Sequence, residues 1–464
     1  MIPSFNNSLP PTLQTLLDDM NHLIGPLYLV GGAVRNGLQG NPPTNDLNIL
    51  VPRPLAECRQ ILLDAGYSTG IESTRHNVLV LPLKGFKKPK TIEISTFRHR
   101  PNHTPSVEED LLQRDVTVNA MAYLWPNGPI LDPFNGQNDL KNRLIKLVNG
   151  ATTLRDDPLR ALRFFRFALQ LASTPDPDDL ILASETLLTH VNPDRTRAEL
   201  DRIFSFPLRS EMDIYSFRYL LNTPLCTDLL HELNSLKDIR DSANPNQSVW
   251  DRTIQTILGL TSITPGEDLS LLDLRWSALF IGISSTCGER EQLFSSSGLK
   301  SSQEDDSLCY RKILEKFCFS KRRQRRISNL LHHLNLEIDP SDRTLKRLIK
   351  DAIPLEGLYR LHHAWNLAGM TETANNNEVY RQEDELSTLL ERCRLLRQAR
   401  FRPRAQDLAI SGGDILNMVR KPPGPWIGQL QDTLVDLIDE EPFQNRPEIL
   451  TQKIQEWILE QDSI

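Results

Sequence analysis

The chain is poor in cysteine, and its cysteines form no pairing pattern. Six stand at positions 58, 226, 287, 309, 318 and 393 of 464 residues, and no two have Cys-x-x-Cys spacing. A disulfide frame or a cysteine-bound zinc is therefore not expected, and the thiols read as free in a reducing compartment. No apolar run approaches the roughly 18 residues of a membrane span. The opening "MIPSFNNSLPPTLQ" lacks a basic region followed by an apolar stretch, so it does not read as a secretory signal. A cytoplasmic protein without a membrane partner is the expectation. Positive charge is not in excess either. Lys+Arg number 53 against 60 Asp+Glu, a net charge of −7. That excludes a uniformly basic nucleic-acid binder and leaves room for a local basic path. Strict internal repeats are absent, and oligomeric state leaves no trace.

What is present has two textures. Up to about residue 150, short β-rich segments bounded by Gly, Pro or Asn alternate with turns: "LYLVGG", "DLNILV", "NVLVLPL", "TIEISTF" and "NAMAYLW". "PLAECRQILLDAG" among them predicts a helix ending near Gly66. This is an α+β domain on a small mixed sheet. After Gly150 nearly every segment has helical period, beginning with "DDPLRALRFFRFALQLA", whose apolar set is Leu159, Leu162, Phe165, Phe167 and Leu169. Loops are expected at "STPDPDD", "SANPNQS", "SSSGLKSSQEDDS" and "TETANNNE". The charge run "FSKRRQRRISNLLHH" reads as the start of a helix with a solvated face. The length suggests two to four domains.

The chemistry begins at "LVGGAVRNGLQGNPPTNDLNILV", residues 29 to 51. Gly31 and Gly32 let backbone approach a ligand closely, and Arg35 can then meet a phosphate. Asp46 and Asn48 lie two apart, so on a strand they share a face. Two carboxylates there would hold Mg²⁺. The sequence offers one, with Glu93 of "TIEISTFR" as the natural candidate from a neighbouring strand. Asp46 as a turn residue and Glu93 facing solvent are the plain alternatives. In "QRDVTVNAMAY", Arg114 suits a triphosphate; Asp115 and Asn119 share a face if the segment is helical, and suit a ribose hydroxyl. In "RDDPLRALRFFRF", Asp157 and Arg160 are spaced i,i+3, and Arg163 and Arg166 continue the row. An intrahelical salt bridge is one reading. The other is that carboxylate and guanidinium present a planar edge to a base and select the nucleotide without a template.

The ordered set "LVGGAVR…NDLN", "IEISTFR", "EEDLLQRDVTVNAMAY", "LDPFNGQNDL", "DDPLRALRFFRF" and "DRTRAELDRIF" resembles the bacterial CCA-adding tRNA nucleotidyltransferase and poly(A) polymerase family. The tail segment from Gln406 to Leu450, with "DLAI" and "PGPWIG", resembles the tRNA-binding C-terminal region of the longer members. The resemblance implies a polymerase-β-like palm in the head (1–150), then a helical neck for nucleotide selection (151–215), a helical body (216–395) and a helical tail (396–464). It implies Mg²⁺ at Asp46, Asn48 and Glu93. It implies nucleotide binding by Gly31, Gly32, Arg35, Arg114, Asp115, Asn119, Asp157, Arg160, Arg163 and Arg166. CMP or AMP from CTP or ATP would pass to the 3′ end of tRNA or another RNA.

The chain departs from the family pattern in several places. Asn48 stands where a second Asp is usual, Asn36 where an Asp follows "GGAVR", and Gln113 where an Arg opens Arg-Arg-Asp. The loop before Asp46 is about one residue longer. "SVWDRTIQTIL" and "LRWSALFIGISS" resemble an HD phosphohydrolase-like region, with Arg252 and Ile281-Gly282 in the places of His and His-Asp; such residues hold no divalent metal. Losing metal assistance would cost roughly several powers of ten in rate. An active enzyme, a catalytically silent RNA- and nucleotide-binding relative, and a helical scaffold are the three readings. The scaffold explains none of the head motifs. CCA, CC, single-A and A-tail addition share these motifs.

Overall fold

The computed structural model describes residues 9–43, 46–68, 72–73, 78–83, 85–86, 89–98, 105–260, 270–294, 306–334, 345, 348–349, 354–370, 386–396, 405–419, 421–440 and 445–462. The expected loops "SSSGLKSSQEDDS" and "TETANNNE" lie almost wholly outside these residues, as do the two residues before Asp46. The chain divides into two compact units, Met1–Ser262 with Leu271–Arg325, and Ile263–Ser270 with Arg326–Ile464.

The first unit opens with helix α1 (Pro11–Ile24), strand β1 (Tyr28–Val30), helix α2 (Gly32–Leu38), strand β2 (Asp46–Val51) and helix α3 (Leu55–Asp64). Strands β3 (Glu72–Ser73), β4 (Val78–Pro82) and β5 (Thr91–Thr96) follow, then helix α4 (Val107–Leu112) and strands β6 (Ala122–Leu124) and β7 (Ile130–Leu131). The strands form one sheet in the order β3-β4-β5-β2-β1-β6-β7. Its pairs are antiparallel except β2 with β5, which run parallel. The mixed sheet expected from the sequence is therefore present, with each expected strand in it.

Period-two alternation assigns the two faces of this sheet. Leu47, Ile49 and Val51 of β2, with Ile92 and Ile94 of β5, are buried against Leu13, Leu17, Met20 and Ile24 of α1 and Leu55, Cys58 and Leu62 of α3. Each such side chain contributes about 1.5–3 kcal/mol by leaving water. On the opposite face, Val30 and Leu50 pack with Val107, Leu111, Ala120 and Ala122. The remaining positions of that face, at the starts of β2 and β5, are polar. A one-residue slip would bury Asp46 and expose Leu47, so the register is fixed by the same burial that opens the site.

Beyond the sheet come helix α5 (Gly136–Lys141), strand β8 (Leu144–Ile145), helices α6 (Gly150–Asp156) and α7 (Arg160–Gln170), and strand β9 (Thr174–Pro175), which pairs with β8. The sequence reads 156–172 as one helical segment, and the structure breaks it. Asp157 is extended (φ −151°, ψ 100°) because the Pro158 ring disfavours helical backbone before it. Helical order resumes in α7, where Leu162, Phe165, Phe167 and Leu169 are all buried. Helices α8 (Pro177–Ser184), α9 (Pro193–Ser205), α10 (Glu211–Asn222), α11 (Pro224–Leu229), α12 (Val249–Gly259), α13 (Leu271–Phe294), α14 (Asp306–Lys316) and α15 (Lys321–Leu334) follow.

In the second unit, helices Gly412–Val419, Trp426–Glu440 and Pro447–Asp462 close around Leu408, Ile410, Ile415, Leu430, Leu434 and Leu450. Trp426 stacks on Trp457 at 6.0 Å, and the Trp426 indole N–H donates to the Pro422 carbonyl at 2.8 Å. The expected tail motif thus supplies core contacts of its own unit. Among the described residues, no helix is long and apolar enough to cross a membrane.

Candidate active site

The polar ends of β2 and β5 face each other. Parallel pairing sets Asp46 opposite Thr91 and Asn48 opposite Glu93, so all four side chains lie on one face of adjacent strands. The Thr91 hydroxyl donates to Asp46 Oδ1 at 2.7 Å. Glu93 is half-buried, and burial first, then the negative charge of Asp46, pushes its carboxyl above the ordinary range. Two carboxylates raise each other's cost of ionisation where no cation separates them. The described residues hold no group of three His, Cys, Asp or Glu suited to a metal. Mg²⁺ needs fewer, since it keeps several waters and commonly takes one or two carboxylates plus substrate phosphates. Asp46 and Glu93, with Asn48 on the same face, fit that donor set.

Beside them, Gly31 turns the chain with φ +67°, a conformation that suits glycine. A Cβ there would lie 3.1 Å from Arg114 Nη1, and one on Gly32 would lie 3.4 Å from Arg35 Nη2. The two glycines therefore admit two guanidinium groups against the backbone. Arg35 is buried. It donates to Asn119 Oδ1 at 2.5 Å and Asn36 Oδ1 at 3.2 Å, and its Nε–H has no partner. Burial pulls its guanidinium down to about 10, so it stays charged at neutral pH. Arg114 donates through Nε (3.2 Å) and Nη2 (3.0 Å) to Asp110 Oδ2, which leaves Nη1 toward Gly31.

Asp110 is a residue the sequence reading passed over. It is fully buried, and besides Arg114 it accepts from the backbone N–H (3.1 Å) and Nε (2.9 Å) of Arg98. Burial alone would raise its carboxyl; Arg114 and Arg98 outweigh that and hold it below the usual range. The signal was available, an acid four residues before Arg114, but it falls across the end of α4.

Asp115 and Asn119 are expected to share a helical face. The backbone is instead a bend followed by a 3₁₀ turn, Thr117–Asn119, and the two side chains still meet, at 3.5 Å. Asp115 also accepts from the Val116 N–H and forms a close ion pair with Arg163 at 2.5 Å. Burial would raise its carboxyl, but Arg163 above all holds it at about 2. Gly31, Gly32, Arg35, Arg114, Asp115, Asn119 and Arg163 are thus one connected set.

The rest of the row from Asp157 to Arg166 turns elsewhere. Asp157, at the joint before α7, pairs with Arg195 of α9 at 3.1 Å and not with Arg160. Arg160 donates to the carbonyls of Thr153 (3.1 Å) and Gln113 (2.5 Å). Arg166 pairs with Glu199 at 2.7 Å and lies 4.0 Å over the Phe167 ring, while Arg35 approaches the same ring at 5.9 Å. Phe167 was read as core; it also carries this stack.

Farther along the chain, Arg252 of α12 forms a buried ion pair with Asp241 at 2.8 Å. Ile281 is buried in α13, and a Cβ on Gly282 would meet Leu236, Thr253 and Val249 at 2.9–3.0 Å. The place of the HD-like ligands is packed solid.

A family profile described as the poly(A) polymerase head domain matches residues 27–146. The CC-adding tRNA nucleotidyltransferase of Halalkalibacterium halodurans is 26% identical over 418 residues, 88% of this chain and 87% of that protein. The CCA-adding enzyme of Geobacillus thermodenitrificans is 33% identical over 221 residues, 44% of this chain and 52% of that protein. This chain thus spans about half the length of the CCA-adding relatives it matches at that higher identity. Among solved structures, the CCA-adding enzyme of Bacillus stearothermophilus in complex with CTP has a TM-score of 0.62 at 21% identity, covering 100% of both chains. That of Thermotoga maritima complexed with tRNA has 0.60 at 16% identity, covering 98% of this chain and 97% of that one. A head profile over the site, a relative aligned along most of the chain and a shared fold agree: residues 27–146 match the poly(A) polymerase head domain, and the chain is similar along most of its length to a CC-adding tRNA nucleotidyltransferase.

Proposed function

We propose that the protein transfers CMP or AMP from CTP or ATP to the 3′ end of tRNA or a similar RNA, in the cytoplasm and with Mg²⁺. The observation that carries this reading is the like-charged pair Asp46 and Glu93 on one sheet face, next to the guanidiniums of Arg35 and Arg114 at Gly31-Gly32. Carboxylates call for cations there, and guanidiniums call for phosphates. Relatives with this name act on tRNA, and solved relatives hold CTP, ATP or tRNA.

In this mechanism Gly31, Gly32, Arg35 and Arg114 bind the triphosphate and orient it. Asp115 and Asn119, fixed by Arg163 and Arg35, border the sugar. Asp157 and Arg160 flank the base from the neck, and Arg166 braces Phe167 behind Arg35. Asp46, Glu93 and Asn48 would hold Mg²⁺, which when bound neutralises phosphate charge and lowers the pKa of an attacking hydroxyl. The RNA 3′ oxygen attacks the α-phosphorus in line, a P–O bond forms to the RNA, and pyrophosphate leaves. We assign residues 1–150 to the head, 151–215 to the neck, 216–395 to the body and 396–464 to the tail.

The test is incorporation of labelled CTP or ATP into tRNA that lacks its 3′ end. Transfer by the wild type, and its loss in Asp46→Ala, is expected. A second reading, a silent RNA- and nucleotide-binding relative, is favoured by Asn48 opposite Glu93, a neutral amide in the place of a charge. Nucleotide and tRNA binding without any transfer would establish it instead.

A further inference from the structure

The consecutive helices α14 and α15 carry exposed cationic side chains that the nucleotide site does not use. Arg311, Lys312, Lys321, Arg322 and Arg325 are all exposed, and none makes an ion pair among the described residues. Glu315 is the exposed acid among the described side chains of α14, and α15 has none from Lys321 to Leu334. A four-residue link, 317–320, joins the helices, so the end of α14 and the start of α15 lie at most ~18 Å apart. Lys321 and Arg322 open α15, where the positive end of the helix disfavours cations. Their placement opposes local helix stability in a chain whose net charge is −7.

This segment is also rigidly anchored. Arg323, the inward member of the run, donates to Asp201 of α9 (2.7 Å) and Asp273 of α13 (2.9 Å) and lies 4.6 Å over the Phe319 ring. Arg197 of α9 donates to the Phe317 carbonyl at 3.0 Å and to that of Cys318. Lys316 donates to the Leu229 carbonyl at 3.0 Å. The same α9 holds Asp157 through Arg195. One helix therefore ties the cationic face and the nucleotide-selecting joint into a single frame.

We infer that the exposed basic residues of α14 and of the start of α15 form a docking surface for the phosphate backbone of the RNA whose 3′ end enters the head. The inference rests on the proposed transfer to RNA. It is favoured over an acidic protein partner because the face is held on the helix that braces the nucleotide site. A polyanion reacting at its tip needs a holdfast at a fixed distance from that tip. Guanidinium and ammonium groups meet phosphate oxygens without reading sequence, so the contact gives affinity and register but no base preference.

The experiment uses the full chain and a tRNA transcript lacking its 3′ end, with binding measured across a salt series. Removing three phosphate contacts in the variant K321Q/R322Q/R325Q should flatten the log–log salt slope by about 2–3 and weaken binding near 0.1 M salt by about a hundredfold. The charge-preserving variant K321R/R322K/R325K should retain affinity. Arg59→Gln, on α3 behind the sheet, should change neither quantity. Wild-type binding that K321Q/R322Q/R325Q leaves unaltered in affinity and slope overturns the inference alone. A wild type with no tRNA affinity overturns the proposed function together with it. Polyglutamate binding that these substitutions abolish, with tRNA binding intact, assigns the face to an acidic protein and overturns the RNA assignment.

Discussion

Two places in this molecule carry other residues where the sequence resemblance leads one to expect metal ligands, and their surroundings differ. At β2 and β5, Asn48 stands where a carboxylate is expected, but Asp46 and Glu93 share one sheet face and the charge of Asp46 still pushes the Glu93 carboxyl up. At α12 and α13, Arg252 has recruited the buried Asp241, and Gly282 has let three side chains close on the backbone. The first site keeps an electrostatic need that a cation would meet. The second is filled by packing. A lost ligand therefore says little by itself; what the surroundings did afterwards decides whether chemistry is retained.

The sharpest way to break this contrast is Asp46→Ala. If the head is active, transfer falls by at least about a thousandfold, since the strand would keep no carboxylate. Single-turnover incorporation of labelled CTP measures it, and an unchanged rate removes β2 from the catalytic face.

Next in size is Arg252→Ala in the body. It leaves Asp241 buried without its cation, an effect of about 3 kcal/mol in unfolding free energy. The low end of the usual range applies because Gln247 and the Ala243 N–H still donate to Asp241. Denaturant unfolding checks it. The same protein should show no Mn²⁺-dependent phosphodiesterase activity before or after the change.

Asp115 gives a pH signature. Its folded carboxyl sits at about 2, below the unfolded value of about 3.9, so its contribution is full above the unfolded value. It is lost as pH falls from about 5 toward about 2, and amounts to about 2–3 kcal/mol. Asp115→Asn should flatten that part of the stability–pH curve. Glu93 runs the other way: its raised carboxyl takes up a proton before an ordinary one, so Mg²⁺-dependent transfer should decline on mild acidification.

The smallest effect sharpens the comparison most. Asn48→Asp adds a third negative charge to the face and should lower stability without metal by about 1 kcal/mol, with recovery on adding Mg²⁺. Thermal unfolding with and without Mg²⁺ reads it. Equal shifts in both conditions would place residue 48 away from the cation.

Strand alternation made the head legible in the sequence, because β2 and β5 each bury one face. Spacing set Asp46 and Asn48 on one face, whereas Glu93 was a candidate that only the β2–β5 register brings beside them. The neck was harder. Pro158 was there to announce the break that frees Asp157 from α7, but the apolar period ran past it. Partners across long separations, such as Arg195 with Asp157 or Arg98 with Asp110, depend on how helices and loops meet, which no local pattern encodes.

The Phe167 ring, approached by both Arg35 and Arg166, bears on how such proteins can be recombined. A chimaera joined at residue 150 would bring a foreign aromatic, or none, to the buried Arg35, and would orphan Asp115 from Arg163. Exchanged heads should therefore travel with α6 and α7 attached, making the heritable cassette about one helical hairpin longer than the sheet that defines it.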